Sequence, residues 1–223
     1  MAVSDLSGCV GSPVERVATA VEALEAQGLV GSTLRSSAAV YRPTPAGLEA
    51  LVARGRLEAV GDGPIAVMFT DHVSSSELIE SLGEAGAHVA RCRHLAVLRE
   101  AIAHHRGREV KSLGDGLMVV FDQPAAGLPC ARAMQQAMAR QGDPICLRIG
   151  IDAGKPVRQG DDYFGTTVIV AKRLCDAARG GEILISDRLR ELAGPPERAG
   201  VRSRGSLALK GFTQPVAASA VPV

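Results

Sequence analysis

The stretch EVKSLGDGLMVVF, from Glu109 to Phe121, constrains the fold of this chain more than any other segment. Its second half is an apolar run and its centre is GDG, a combination that predicts a buried β-hairpin folded around a glycine turn. Lys111 and Asp115 nevertheless stand four residues apart at the bend of this hairpin, with a glycine on each side of the acid. Any structure predicted for this chain therefore has to account for two opposite charges at the bend of a buried hairpin.

Composition bounds the class of protein. The chain has 223 residues, of which 46% are hydrophobic, enough for one large or two smaller folded domains. Its net charge of +1 gives no overall attraction to nucleic acid or to anionic membranes. The five cysteines form no CxxC pair, and no apolar run approaches the ~20 residues of a membrane span. We therefore expect a cytoplasmic protein with reduced thiols, no signal peptide and no membrane span.

Residues 1–58 read as a small, mostly helical segment. Ser12, Pro13 and Glu15 form a helix start with a capping box, and Gly28 is placed to end the helix. Two extended pieces, LVGSTL and VYRPT, follow, and PAGLEALVARG predicts another helix. This order resembles a winged helix-turn-helix of bacterial transcriptional regulators, entered at what resembles its second helix because the first is missing.

The resemblance leaves the role of this segment open between DNA binding and packing or dimerisation. The segment carries slightly more acidic than basic residues. A DNA-binding face normally needs a positive excess, because phosphate contacts supply most of the affinity. DNA therefore remains a possible partner of this segment, but we do not expect it to bind.

Residues 63–223 follow a linker around RGRLEAVGDGP and have a different pattern. A buried strand, IAVMFT, precedes a long helical region in which Ile79, Leu82, Val89 and Leu98 are predicted to share one face. After the hairpin come a helix, the alternating strand ICLRIGID, another helix, a strand, a short helix and a final strand pair. This order predicts an α+β fold, a ferredoxin-like βαββαβ sheet with appended elements.

Asp71 stands where the first strand ends, in MFTDHVSSSE. Since Ser74 can already cap the helix that follows, the added carboxylate is better suited to bind a cation. The N–H groups of Ser74, Ser75 and Ser76 at the start of that helix could receive phosphate oxygens.

The hairpin turn of a ferredoxin-like sheet lies beside the end of the first strand, so Asp115 should come close to Asp71. Two converging carboxylates repel each other unless they share a proton or a cation. Hard oxygen ligands with room for water and phosphate suit Mg²⁺ or Mn²⁺. The two glycines of GDG let the turn adopt a positive φ and let a ligand approach the backbone.

Six motifs in order carry a resemblance to a known family: VMFTDHVSSSE, EVKSLGDGLMVVF, LRIGIDAG, DYFGTTVIVAKRL, GGEILIS and LKGF. In this order and approximate spacing they resemble the class III nucleotidyl cyclase catalytic domain, over nearly all of residues 63–223. The resemblance implies a head-to-tail homodimer with the nucleotide at the interface, and two Mg²⁺ or Mn²⁺ ions at each site. By position it implies roles for seven residues: Asp71 and Asp115 as metal ligands with the His72 carbonyl, Lys111 and Asp162 as base readers, Arg173 at the transition state, and Lys210 on the terminal phosphates.

The resemblance and the chemistry of the base readers together favour ATP over GTP. Asp162 can accept a hydrogen bond from the exocyclic amine of adenine, and Lys111 can donate one to a ring nitrogen. Guanine would instead turn a carbonyl towards the carboxylate. The expected activity is therefore that of an adenylate cyclase, which converts ATP to 3′,5′-cyclic AMP and pyrophosphate.

Ile169 departs from the family pattern, which usually has an asparagine there to orient the ribose. Ile169 lies four residues before Arg173, so it should face the nucleotide and offer it no hydrogen bond. Misplacing the attacking hydroxyl can cost about 10²-fold in rate, which predicts a slow enzyme. One alternative is a winged-helix regulator whose degenerate cyclase domain only dimerises or senses nucleotide. Another is a ferredoxin-like interaction domain without a ligand.

Overall fold

The computed structural model describes residues 14–35, 38–44, 46–47, 58–59, 63–73, 75–141 and 146–223. The chain divides into two compact units, Met1–Glu58 and Ala59–Val223. The strands in chain order are β1 (Val30–Arg35), β2 (Ala38–Pro43), β3 (Glu58–Ala59), β4 (Ile65–Val73), β5 (Arg108–Ser112), β6 (Leu117–Phe121), β7 (Cys146–Gly154), β8 (Val157–Gln159), β9 (Asp162–Phe164), β10 (Ile183–Ser186), β11 (Arg202–Leu207) and β12 (Val216–Val221). The helices are α1 (Val14–Ala26), α2 (Ser75–His104), α3 (Gly127–Gln141), α4 (Thr166–Ala177) and α5 (Asp187–Leu192), and a 3₁₀ turn, Pro124–Ala126, precedes α3.

The first unit contains α1 and an antiparallel hairpin of β1 and β2. The helix ends as predicted: Gly28 adopts a φ of 67°, and the N–H of Leu29 donates to the Leu24 carbonyl at 2.9 Å. The two predicted extended pieces form the hairpin. The predicted start at Ser12 and most of the helix predicted from PAGLEALVARG lie outside the described residues.

The second unit is built on a seven-stranded sheet in the order β11-β12-β10-β7-β4-β6-β5. Its last four strands pair antiparallel, with β4 between β7 and β6. Numbered along the βαββαβ unit, these four strands run 4-1-3-2, as in a ferredoxin-like sheet. Strand β10 adds to this core parallel to β7, and β12 and β11 extend it. The predicted α+β architecture with appended elements is confirmed for this unit.

Alternation along the strands gives the sheet two apolar faces. On one face, residues such as Met68 and Ile149 pack under α2 and α3. On the other, Val67 and Met118 pack with Tyr163 and with α4. Strand β7 comes very close to α4 because its Gly150 has no side chain: a Cβ at Gly150 would lie 2.0 Å from the Cys175 nitrogen. This packing places α4 against the middle of the sheet.

The prediction that α2 has one continuous apolar face is wrong. Leu98 is buried, but Ile79, Leu82 and Val89 are exposed. Gly83, with φ 69° and ψ 169°, interrupts the helical backbone, so Ile79 and Leu82 before it lose register with the buried face. Val89 follows the break but lies about two and a half helical turns before the buried Leu98, so it points to the opposite, exposed side of the helix. None of the helices in the described part of the chain combines the length and the apolar character that crossing a bilayer requires.

Candidate active site

The GDG turn lies against β4 at Thr70 and Asp71. The strand was predicted to end at Asp71, but it continues to Val73 because it stays paired with β7. A Cβ on Gly116 would lie 2.0 Å from the Thr70 carbonyl oxygen and 3.3 Å from the Asp71 Cα, so only glycine allows this approach. The N–H of Leu117 also donates to Thr70 Oγ1 at 3.0 Å. Asp115, the residue before Gly116, is therefore held beside the backbone that carries Asp71. The structure brings these two predicted residues to one end of the sheet.

Arg148 is a site residue that the sequence reasoning missed. It pairs directly with Asp71 across β7 and β4, so both side chains lie on the α4 face. Its Nε donates to Asp71 Oδ2 at 2.7 Å and its Nη2 donates to the same oxygen. Its Nη1 also donates to the Asp176 carbonyl of α4 at 3.3 Å. The available signal was an arginine inside the apolar strand CLRIGID.

The His72 side chain is buried on the opposite face of the sheet. Its ring packs edge to face against His94 of α2, with 5.4 Å between centroids. Burial, followed by the charge of His94, lowers the pKa of His72 to about 4, so the imidazole is neutral near neutral pH. Because the ring points away from Asp71, the main-chain carbonyl is the part of His72 that suits the predicted ligand role.

The donor set at this end of the sheet suits a hard divalent cation. Two carboxylates and a carbonyl are the oxygen ligands that Mg²⁺ and Mn²⁺ accept, with water or phosphate oxygens completing the shell. Within the described ranges there is no group of three or more His, Cys, Asp or Glu side chains that could hold a metal by itself. The Arg148 guanidinium beside Asp71 shows that this carboxylate already attracts a cationic partner.

The predicted contribution of the serines after β4 stays a prediction. Ser74 lies outside the described residues, and Ser75 is described only as the first residue of α2. Ser76 also lies in α2, and its side chain is outside the described part of the structure.

The two predicted base readers form an ion pair. Lys111 Nζ on β5 lies 2.5 Å from Asp162 Oδ2 on β9, although 51 residues separate them in the chain. Asp162 Oδ1 also accepts from the N–H of Tyr163 at 2.8 Å. Partial burial opposes the charge on Asp162, but the hydrogen bonds from Lys111 and Tyr163 outweigh it and hold the pKa of Asp162 below its usual value.

Arg173 and Lys210 also come together. Arg173 Nε on α4 donates to the main-chain carbonyl of Lys210 at 3.2 Å, across 37 residues of sequence. Its Nη1 lies 3.2 Å from Asp176 Oδ2. The Lys210 side chain is exposed, so its ammonium group is available to an external anion.

Ile169 lies one turn before Arg173 on α4, and its side chain is 48% exposed. A large aliphatic side chain usually avoids water. Its exposure means that the position offers a contact surface and no hydrogen-bonding group. That Ile169 faces the nucleotide stays a prediction.

A model of the adenylate and guanylate cyclase catalytic domain matches residues 57–217. The chain is similar to an adenylate cyclase of Mycosarcoma maydis, 32% identical over 162 residues, which cover 59% of this chain and 6% of that protein. It is also similar to a pH-sensitive adenylate cyclase of Mycobacterium tuberculosis, 31% identical over 140 residues, 62% of this chain and 35% of that protein.

Among solved structures, the adenylyl cyclase CyaB from P. aeruginosa superposes with a TM-score of 0.65 at 27% sequence identity. The match covers 75% of this chain and 96% of that one. The chain thus spans a small part of its full-length curated relatives but nearly the whole of an isolated cyclase structure. The family model covers well over half of the sequence, and the chain therefore belongs to the adenylate and guanylate cyclase family.

Proposed function

We propose that the chain is an adenylate cyclase, which forms 3′,5′-cyclic AMP and pyrophosphate from ATP at a site completed by a second copy of the chain. The observation that carries this proposal is the Lys111–Asp162 pair, 2.5 Å apart on two separate strands. Both side chains remain partly exposed, at 41% and 32%, so a base can reach them.

The pair supports adenine as the base. The Asp162 carboxylate accepts hydrogen bonds and has no proton to donate, because its pKa is held below the usual value. It therefore suits the exocyclic amine of adenine and opposes the carbonyl that guanine has in its place. Lys111 supplies a donor to a ring nitrogen. The family includes cyclases of both nucleotides, so this pair is the basis on which we choose ATP.

Asp71, Asp115 and the His72 carbonyl would hold two divalent ions, Mg²⁺ or Mn²⁺, at each site. When bound, such ions neutralise phosphate charge and lower the pKa of the attacking 3′-hydroxyl. Arg148 balances the charge of Asp71 in the absence of a cation. With Asp71 engaged by a cation, the Arg148 guanidinium would be available to a phosphate oxygen, a partner that arginine favours.

Arg173 and Lys210 would act on the phosphates. Arg173 is fixed by its bonds to Asp176 and to the Lys210 carbonyl, so its remaining N–H groups are oriented in advance. Preorganised donors of this kind stabilise charge that develops in the transition state, here on the α-phosphate. The exposed ammonium group of Lys210 would hold the terminal phosphates.

The assembly we propose is a head-to-tail homodimer with two sites. In each site one chain supplies Asp71 and Asp115, and its partner supplies Lys111, Asp162, Arg173 and Lys210. The apolar side chains of Leu113, Phe164 and Ile169 are exposed beside these residues. Covering such side chains favours association.

A second candidate is a regulator whose cyclase domain binds nucleotide without turning it over. Ile169 favours it, since an exposed isoleucine cannot orient a ribose by a hydrogen bond. In this candidate the first unit would act as a winged helix, and its partner could be DNA.

The test is cyclic AMP formation by the purified chain with Mn²⁺ and ATP, measured by chromatography beside a GTP reaction. Cyclic AMP as the main product supports the proposal. ATP binding by calorimetry without product supports the regulator. If neither binding nor product is detected, both candidates are wrong.

A further inference from the structure

Strand β5 contains a bulge at Val110. Arg108 and Glu109 pair with Val120 and Val119, but the next partner along β6, Met118, pairs with Lys111. Val110 is therefore an extra residue in β5. A bulge of this kind changes which face of the sheet the following side chains point to.

The bulge places Arg108 and Lys111 on the same face. Residues three apart on a regular strand point to opposite faces, because the side-chain period is two. Here Arg108 is opposite Val120 and Lys111 is opposite Met118, and both partners belong to the cluster around Tyr163. Glu109 points to the other face, where it binds Arg99 of α2 at 2.7 Å.

Arg108 makes a second side-chain contact between β5 and β9. Its Nη2 donates to the Tyr163 hydroxyl, and its guanidinium carbon lies 5.4 Å from the centre of the tyrosine ring. The Tyr163 side chain is 2% exposed and packs in the core under the sheet. A buried phenol needs a partner for its hydroxyl, and Arg108 supplies it.

The hairpin of β8 and β9 belongs to a different sheet from β5. The relative position of Lys111 and Asp162 is therefore set by side chains, and not by a shared ladder of main-chain hydrogen bonds. The Arg108–Tyr163 contact lies next to the Lys111–Asp162 pair on both strands and is anchored in the core.

We propose that Arg108 and Tyr163 are positioning residues that set the selectivity between adenine and guanine. Their contact fixes the position of Asp162 relative to Lys111, whose side chain is oriented by the bulge at Val110. This inference rests on the proposed function, in which Lys111 and Asp162 read the base. Neither Arg108 nor Tyr163 needs to touch the nucleotide.

The test compares kcat/KM for ATP and GTP in Tyr163→Phe, which removes only the hydroxyl, and in Arg108→Met. Both should lower the ATP-to-GTP ratio by about three- to tenfold, the worth of one hydrogen bond. The loss should be mainly in the KM for ATP, since base contacts form before the reaction. Arg108→Lys, which retains a donor, should restore most of the ratio.

Arg99→Met is the matched control, because it removes an exposed ion pair from the opposite face of the same strand. It should leave the ratio at the wild-type value. Retention of the wild-type ratio in both Tyr163→Phe and Arg108→Met, while Lys111→Met abolishes selectivity, would overturn the positioning role and leave the proposed function intact. If Lys111→Met also keeps the ratio, or if the wild type binds neither nucleotide, the base-reading assignment fails and the inference fails with it.

Discussion

Replacing Asp71 by asparagine separates the proposed metal-binding role of this residue from its role in the fold. The change keeps the shape of the side chain and removes its charge. In the fold it weakens the ion pair with Arg148, whose two side chains are 19% and 28% exposed. Exposed pairs are worth about 0–1 kcal/mol, whereas breaking a fully buried pair costs about 3–5 kcal/mol.

The loss of folding stability caused by Asp71→Asn should lie between the values for an exposed and for a fully buried ion pair. Arg148 keeps its hydrogen bond to the Asp176 carbonyl, so its charge is not left without a partner. We expect the free energy of unfolding to fall by about 1–2 kcal/mol. For a chain of this size, Tm should fall by roughly 2–8 °C, and the protein should stay folded at assay temperature.

The effect on catalysis should be much larger. An amide cannot balance the charge of a divalent ion, and losing a metal ligand removes several kcal/mol of transition-state stabilisation. Since about 1.4 kcal/mol is a tenfold change, cyclic AMP formation should fall by at least ~100-fold. The assay is the initial rate with Mn²⁺ and ATP, measured beside thermal unfolding of the same preparation.

The matched control is Asp161→Asn. Asp161 is fully exposed on the turn between β8 and β9, and its Arg158 partner is 3.9 Å away, so activity and Tm should not change. The metal-binding assignment of Asp71 is wrong if Asp71→Asn stays folded and retains activity within about threefold of wild type.

Three further predictions concern Ile169, a buried aspartate and two buried thiols. Ile169→Asn should raise kcat, because an amide on the exposed face of α4 can orient the ribose; an unchanged or lower rate in a folded variant would contradict the ribose argument. Burial raises the pKa of Asp152, so the folded chain holds this proton to higher pH than the unfolded chain does. Its contribution to stability is then greatest at low pH and decreases as pH rises from the ordinary aspartate pKa to the raised one. Asp152→Asn should flatten this slope in urea unfolding series, and an unaltered slope would show that another group causes it. Burial also raises the pKa values of the Cys130 and Cys175 thiols to about 12. A thiol reagent should therefore modify these two cysteines only when the protein unfolds. Rapid modification of either one in the native protein would contradict the packing.

The sequence was sufficient to predict the parts of the fold that depend on local pattern. The hairpin around GDG, the strand that carries Asp71 and the helix that carries Arg173 each follow from periodicity and turn residues, although that strand continues past Asp71 to Val73. The meeting of Lys111 with Asp162 followed from the family resemblance, since 51 residues separate the pair.

Other features depend on tertiary geometry and could not be predicted. The bulge at Val110 does not interrupt the apolar pattern of the hairpin, so nothing local indicated that Arg108 and Lys111 share a face. The Arg148–Asp71 pair depends on the register between β7 and β4. The exposure of Leu82 follows from a backbone break at Gly83. Helical periodicity read from the sequence assumes one continuous helix and so does not show this break.

In the proposed dimer two copies of the chain share each cyclase site, and complementation between two inactive variants measures this sharing. Asp71→Ala and Arg173→Ala should each be inactive alone, because both sites of each homodimer carry the lesion. In a mixed dimer, one site has both lesions and the other has none.

With equal amounts and free exchange, about half of the dimers are mixed, and each has one intact site of two. Cyclic AMP formation should therefore recover to about a quarter of the wild-type rate on mixing. If the mixture stays inactive while differential tagging shows that the chains exchange, the sites are not shared between chains and the proposed dimeric cyclase is wrong.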